Sequence, residues 1–178
     1  NTQGTEVKIT NYGGIIVALN TLDKHGISAD IVLGYDDISS YEADPYYLGS
    51  IIGRYAGRID QGVLSINGQQ YQLSINNIDN QLHGGMQALN KQLWQATTQS
   101  TTEKVSLILQ HSSPDGDNGF PGNVDFKVKY SLNNNNEFCI EYYATTDKTT
   151  VINLTQHSYF NLAGHNTGEV YQHQIQIN

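Results

Sequence analysis

Apolar and polar residues alternate along most of this chain. Val7 and Ile9 alternate with Lys8 and Thr10, and Tyr71, Leu73 and Ile75 alternate with polar neighbours. The same period runs through Val105, Leu107 and Leu109, through Phe126, Val128, Tyr130 and Leu132, and through Phe138, Ile140 and Tyr142. At the far end Tyr171, His173, Ile175 and Ile177 alternate with glutamines. Side chains on a strand point alternately to its two faces, so each run predicts a strand with one face buried. Turn chemistry agrees. Asn67-Gly68 sits between two such runs, as a two-residue hairpin requires. Asn133 to Asn136 predicts a second hairpin loop, and the stretch from Pro114 to Gly119 a long loop rich in turn residues. No stretch holds a sustained helical period. Short helical turns are expected only near Asp36 to Tyr41 and Met86 to Leu89. Many short strands with regular turns predict an all-β sandwich or barrel, in one domain over residues 1–178.

Composition narrows the function classes. At 178 residues the chain can enclose a real core. Nine basic residues stand against seventeen acidic ones, for a formal charge of −8, and the basic residues do not cluster. Nucleic acid and anionic membranes are therefore poor partners, whereas a neutral substrate fits. Twelve tyrosines against four phenylalanines suit sheet surfaces and polar clefts. The single Cys139 excludes an internal disulfide, which favours the cytoplasm, with the periplasm as the alternative. Cys139 itself lies in a strand run and reads as a small buried hydrophobe. No apolar run reaches membrane-spanning length. The sequence starts at Asn1 rather than Met, so the true N-terminus is expected upstream.

Three segments break the strand pattern. Gly53 to Ile59 places Arg54 and Arg58 among small residues in an otherwise acidic chain. A guanidinium fork can hold paired oxygens, or can simply pair with a carboxylate. Gln81 to Gly85 places His83 before two glycines, where an imidazole has room to bind a hydroxyl or move a proton; a loop histidine is the plainer reading. Asn153 to Leu162 mixes three amides, His157, Tyr159 and Phe160. On a strand His157, Tyr159 and Asn161 would share a face and could line a concave site, unless this is only a polar edge strand. Composition alone prefers the plainer reading for the first two. The six histidines are scattered and the one cysteine has no partner, so metal-ligand spacing is absent. There is no Walker or dinucleotide glycine loop and no Gly-x-Ser-x-Gly elbow.

Taken in order, these segments resemble the galactose mutarotase family of aldose 1-epimerases. The resemblance starts at Asn11-Tyr12-Gly13-Gly14 and continues through Asp30 to Tyr35, Gly53 to Ile59 and Leu82 to Gly85. It then takes in Leu93-Trp94, Ser113 to Gly122 and Asn153 to Gly164. The run from His157 to Gly164 is its most specific part. It implies a large antiparallel β-sandwich with an open sugar cleft, incomplete in this chain, and no metal or organic cofactor. The implied activity interconverts the α and β anomers of free aldoses such as galactose and glucose. By resemblance His157 is the general acid that protonates the ring oxygen, His83 is a second catalytic histidine that binds substrate near the reacting centre and helps polarise it, and Arg58 hydrogen-bonds sugar hydroxyls; His157 too is expected to contact the substrate. Arg54 is expected to be structural.

Some positions depart from the family pattern. Gly57 stands where relatives often carry Asn, and Val151 and Gln156 stand for Pro and Asn. The chain stops at Asn178, short of a full-length member. The family's general-base Glu and a sugar-binding Asp lie in the C-terminal half and have no counterpart here. The expected partners are therefore a free monosaccharide and a C-terminal segment of the same polypeptide, with a homodimer admissible. Alone, the chain is expected to be inactive and to expose sheet edges. A second reading is a non-catalytic sugar-binding or sensing module on the same fold. An epimerase for phosphorylated sugars ranks third, because its site would need clustered cations.

Overall fold

The computed structural model describes residues 1–177. Strands β1 (Glu6–Ile9), β2 (Ile16–Leu22) and β3 (Ser28–Asp30) form an antiparallel sheet in that order. A short helix, α1 (Ile38–Ala43), follows, and the Asp37 carboxylate caps it by accepting from the Ser40 amide. Next come β4 (Ile51–Ile52), β5 (Arg58–Ile59), the hairpin β6 (Val63–Ile66) and β7 (Gln69–Gln72), and β8 (Gln81–Leu82). Strands β9 (Gln95–Ser100), β10 (Lys104–Ser113), β11 (Val124–Asn133) and β12 (Phe138–Thr146) make a four-stranded antiparallel meander. A last short strand, β13 (Thr155–Gln156), pairs with β4. The expected antiparallel sandwich is what forms. Residues from both larger sheets and from the connecting segments meet in one apolar cluster, which includes Ile16, Val32, Ile51, Leu89, Trp94, Leu109, Phe126 and Val128.

Strand β11 shows why the pattern produces this layer. Val124, Phe126, Val128, Tyr130 and Leu132 are all buried, while Asp125 and Lys127 between them are exposed. Each such large apolar side chain removed from water contributes roughly 1.5–3 kcal/mol. Both predicted hairpin turns form. At the first, Asn67 and Gly68 adopt φ of 51° and 80°, the left-handed values that a tight hairpin needs. At the second, Asn136 takes φ 62°. The helical turns appear as α1 and as a single 3-10 turn over Leu89–Lys91, just beyond the expected position.

Three expectations are corrected. Tyr71 to Ile75 is not one strand: β7 ends at Gln72, because the Leu73 and Ser74 amides turn to the carbonyls of Gly62 and Asn118. Residues 171–177 alternate in sequence but join no ladder, and Tyr171, Ile175 and Ile177 are exposed. Alternation prepares a strand, but a neighbouring strand must still satisfy its backbone groups. Cys139 is exposed rather than buried. The alternation that turns Phe138, Ile140 and Tyr142 inward necessarily turns Cys139 outward, opposite Ser131 on β11.

One buried polar contact ties the two layers. The Tyr130 hydroxyl donates 2.7 Å to the carbonyl of Gly14, and both groups lie in the core. Tyr130→Phe leaves that carbonyl without a partner. Unfolding by urea is expected to show a loss of about 1–2 kcal/mol with little change in slope.

Candidate active site

The segment from Tyr47 to Arg58 runs through the middle of the site and is held from both sides. On one side β13 pairs with β4, with Gln156 opposite Ile51, and the His157 amide continues the ladder to the Ser50 carbonyl at 2.9 Å. Its own carbonyl accepts from Gly49 at 3.1 Å. On the other side β5 pairs with β8, with Arg58 opposite Leu82, and the His83 amide donates 2.9 Å to the Gly57 carbonyl. Two remote segments therefore deliver one histidine each to opposite sides of a common strip.

The rings meet there. The His83 and His157 centroids lie 5.2 Å apart in an edge-to-face arrangement. Tyr47 stands edge-on to His83 at 4.9 Å and tilted against His157 at 5.8 Å. Tyr159 flanks His157 at 5.2 Å, with its hydroxyl on the Tyr46 carbonyl. Arg58 is exposed beside His83. Its Nε donates to the Asn77 side chain at 3.2 Å, and its two terminal nitrogens have no protein partner among the described residues. Neither ring nitrogen of His157 has a protein hydrogen-bond partner among the described residues, and the ring is half-buried.

The two imidazoles differ in their chemistry. The Gly57 amide donates to Nδ1 of His83 at 3.0 Å. A backbone N–H can only donate, so Nδ1 must be unprotonated and the ring proton sits on Nε2. Burial, followed by the neighbouring His157 and Arg58, lowers the His83 pKa from 6.5 to about 4. His83 is thus a neutral donor from Nε2 across the neutral range. Gly84 sits so close to the Gly53 carbonyl that a Cβ would lie 1.9 Å from its oxygen, which pins the turn carrying His83.

Of the residues singled out in the sequence, His83, His157 and Arg58 come together, and Tyr159 joins them. Asn161 does not: it is buried, and its amide bonds the Thr167 carbonyl and the Ala163 amide, so it holds a turn. Arg54 is buried and structural, but its partners are the carbonyls of Ser113, Pro114 and Pro121 and the Ser113 hydroxyl, not a carboxylate. His165 lies by Asp30, at 3.5 Å, away from His157. Sequence reasoning missed Tyr47. Its place depends on a left-handed backbone (φ 61°) and on two remote histidines, and no local pattern announces either. No carboxylate among the described residues pairs with His83, His157 or Arg58. Asp44, which acts on Tyr47, is itself tied to the amides of Tyr46 and Leu48. A cavity of about 620 Å³ opens between β1 and the meander and contains none of these residues. Among the described residues no helix is long and apolar enough to cross a membrane.

The aldose 1-epimerase family model matches residues 1–178. The chain belongs to the aldose 1-epimerase family. It is 39% identical to the galactose mutarotase of Bos taurus over 171 residues, which cover 96% of this chain and 48% of that protein. It is 35% identical to the aldose 1-epimerase of Escherichia coli over 177 residues, covering 99% of this chain and 50% of that one. The crystal structure of an aldose epimerase homologue from C. elegans superposes with a TM-score of 0.83 at 34% identity, covering 91% of this chain and 49% of its own. The chain spans about half the length of the curated relatives it matches.

The depressed His83 pKa sets the sign of a pH effect in this member of the family. The unfolded chain takes up a proton below pH about 6.5 that the folded chain refuses until about 4, so stability falls as pH drops through that window. His83→Asn keeps an acceptor for the Gly57 amide but cannot be protonated. Thermal melts from pH 7 to pH 4 are expected to show a shallower acid-side decline for this variant than for the wild type.

Proposed function

We propose that this chain carries the sugar cleft and the general acid of an aldose 1-epimerase that interconverts the α and β anomers of free aldoses such as galactose and glucose. Family membership supports the reaction. The observation that carries the site is the meeting of His83 and His157 at 5.2 Å beside the free terminal nitrogens of Arg58.

Opening a cyclic hemiacetal requires a proton for the ring oxygen and removal of the proton on the anomeric hydroxyl. The open aldehyde then rotates about its C1–C2 bond and recloses on the other face. In the proposed mechanism His157, whose ring nitrogens bond to no described residue, donates to the ring oxygen. His83 stays neutral and donates from Nε2 to an oxygen near the reacting centre, which orients the sugar without taking part in the proton balance. Arg58 holds sugar hydroxyls with its fork, and Tyr47 and Tyr159 wall the cleft with ring faces. The base is assigned to a Glu in a C-terminal segment of the same polypeptide, and residues 1–178 alone are expected to be nearly inactive. The chain is read as one truncated sandwich domain, placed in the cytoplasm, with a homodimer admissible.

A non-catalytic sugar-binding module is the second reading. The site's lack of a carboxylate among the described residues, together with Gly57, favours it. The two readings separate in one experiment. Polarimetry on fresh α-galactose and α-glucose with the full-length polypeptide is expected to show fast interconversion, and His157→Ala is expected to reduce kcat/KM by roughly a hundredfold or more. No acceleration by the full-length protein would leave the binding module. Acceleration by residues 1–178 alone would place the base within this chain.

A further inference from the structure

The turn that carries His83 is an unusual one to leave unsupported. His83, Gly84 and Gly85 take φ of 54°, 93° and 107° in succession, and a left-handed histidine costs on the order of 1 kcal/mol or more. Such a turn keeps its shape only if neighbours hold it. One of those neighbours is the loop from Pro114 to Gly122, which is remote in sequence and contributes nothing to the cleft described above.

That loop is clamped at both ends by one side chain. The Arg54 Nε donates to the Ser113 hydroxyl at 3.0 Å, one terminal nitrogen to the Ser113 and Pro114 carbonyls at 3.0 and 2.8 Å, and the other to the Pro121 carbonyl at 3.1 Å. Ser113 also bonds Asp117. The clamp presents Asn118 in the left-handed region at φ 47°, which asparagine tolerates better than other side chains.

From there Asn118 grips both chain segments that flank His83. Its carbonyl accepts from the Ser74 amide at 3.0 Å and from the side chain of buried Gln81 at 3.5 Å. Its Oδ1 accepts from the Ser74 hydroxyl at 3.1 Å and from the Gln87 amide at 3.5 Å, while Nδ2 donates to the Gln87 carbonyl at 3.3 Å. Gly85 lies against this amide so closely that a Cβ there would sit 2.4 Å from Oδ1. The strand before the turn, the turn itself and the segment after it are thus all referenced to one residue: its backbone carbonyl holds Gln81 and the Ser74 amide, and its side chain holds the Ser74 hydroxyl and Gln87 and lies against Gly85.

We propose that Asn118 is a positioning residue for His83: through Ser74, Gln81, Gly85 and Gln87 it fixes the turn so that the His83 Nδ1 meets the Gly57 amide and Nε2–H points into the cleft. The inference rests on the proposed role of His83 but is read independently of it. In the full-length polypeptide, the 15N signals of the His83 imidazole are expected to show the single Nε2-protonated form near pH 7. Asn118→Ala is expected to lose that single form and to lower kcat/KM for anomer interconversion by about tenfold or more, as a misaimed group does. Asn118→Asp keeps the Oδ1 acceptor and is expected to fall between. If Asn118→Ala does not fold, Ser74→Ala removes one bond of the same set and is read the same way. A folded Asn118→Ala protein that is less heat-stable yet keeps the single His83 form would overturn the proposal and leave Asn118 as loop support. A wild type that does not accelerate interconversion would count against the proposed function, while the imidazole signals would still decide the role of Asn118.

Discussion

Two backbone hydrogen bonds define the site: His157 N–H to the Ser50 carbonyl and His83 N–H to the Gly57 carbonyl, each at 2.9 Å. They lie at the ends of two very short ladders, β4 with β13 and β5 with β8, each with only two residue pairs. Ladders of that length have little stability of their own. They persist because the strip between them is anchored in the core, with Ile51, Ile52 and Arg54 all buried. The sandwich supplies a rigid floor, and the floor sets the spacing of two histidines that are 74 positions apart in sequence. That is how a fold of ordinary alternating strands comes to present two imidazoles edge to face.

Placement also separates the two imidazoles chemically. They are neighbours, yet the Gly57 amide and burial hold His83 in one neutral form, while the ring nitrogens of His157 bond to no group among the described residues. In the proposed mechanism, a His83 fixed as a neutral donor leaves proton movement to His157, with environment distinguishing chemically identical side chains.

Much of the fold was legible in the alternation, since a half-buried strand has a fixed period. Strand β11 and the Asn67-Gly68 turn are the clearest cases. The failures share a cause: alternation marks which residues would face a core but not whether a neighbour exists. Tyr71 to Ile75 and residues 171–177 fail for want of a continuing ladder. The site was legible by a different route. Spacing did not pair His83 with His157; the resemblance of the ordered motifs did. Tyr47 escaped both routes because its position is set by a left-handed backbone and long-range packing. The tautomer of His83 escaped because it depends on one amide brought in by the β5–β8 pairing.

The central claim is that His83, His157 and Arg58 form one sugar site on a common strip. It is tested most directly by titrating the full-length polypeptide with galactose while following the side-chain NMR signals of both histidines. The account predicts that both imidazoles shift along one saturation curve, and that Arg58→Ala weakens both responses equally while His165, beside Asp30, stays silent. Movement of only one of the two, or saturation at different concentrations, would contradict a shared site.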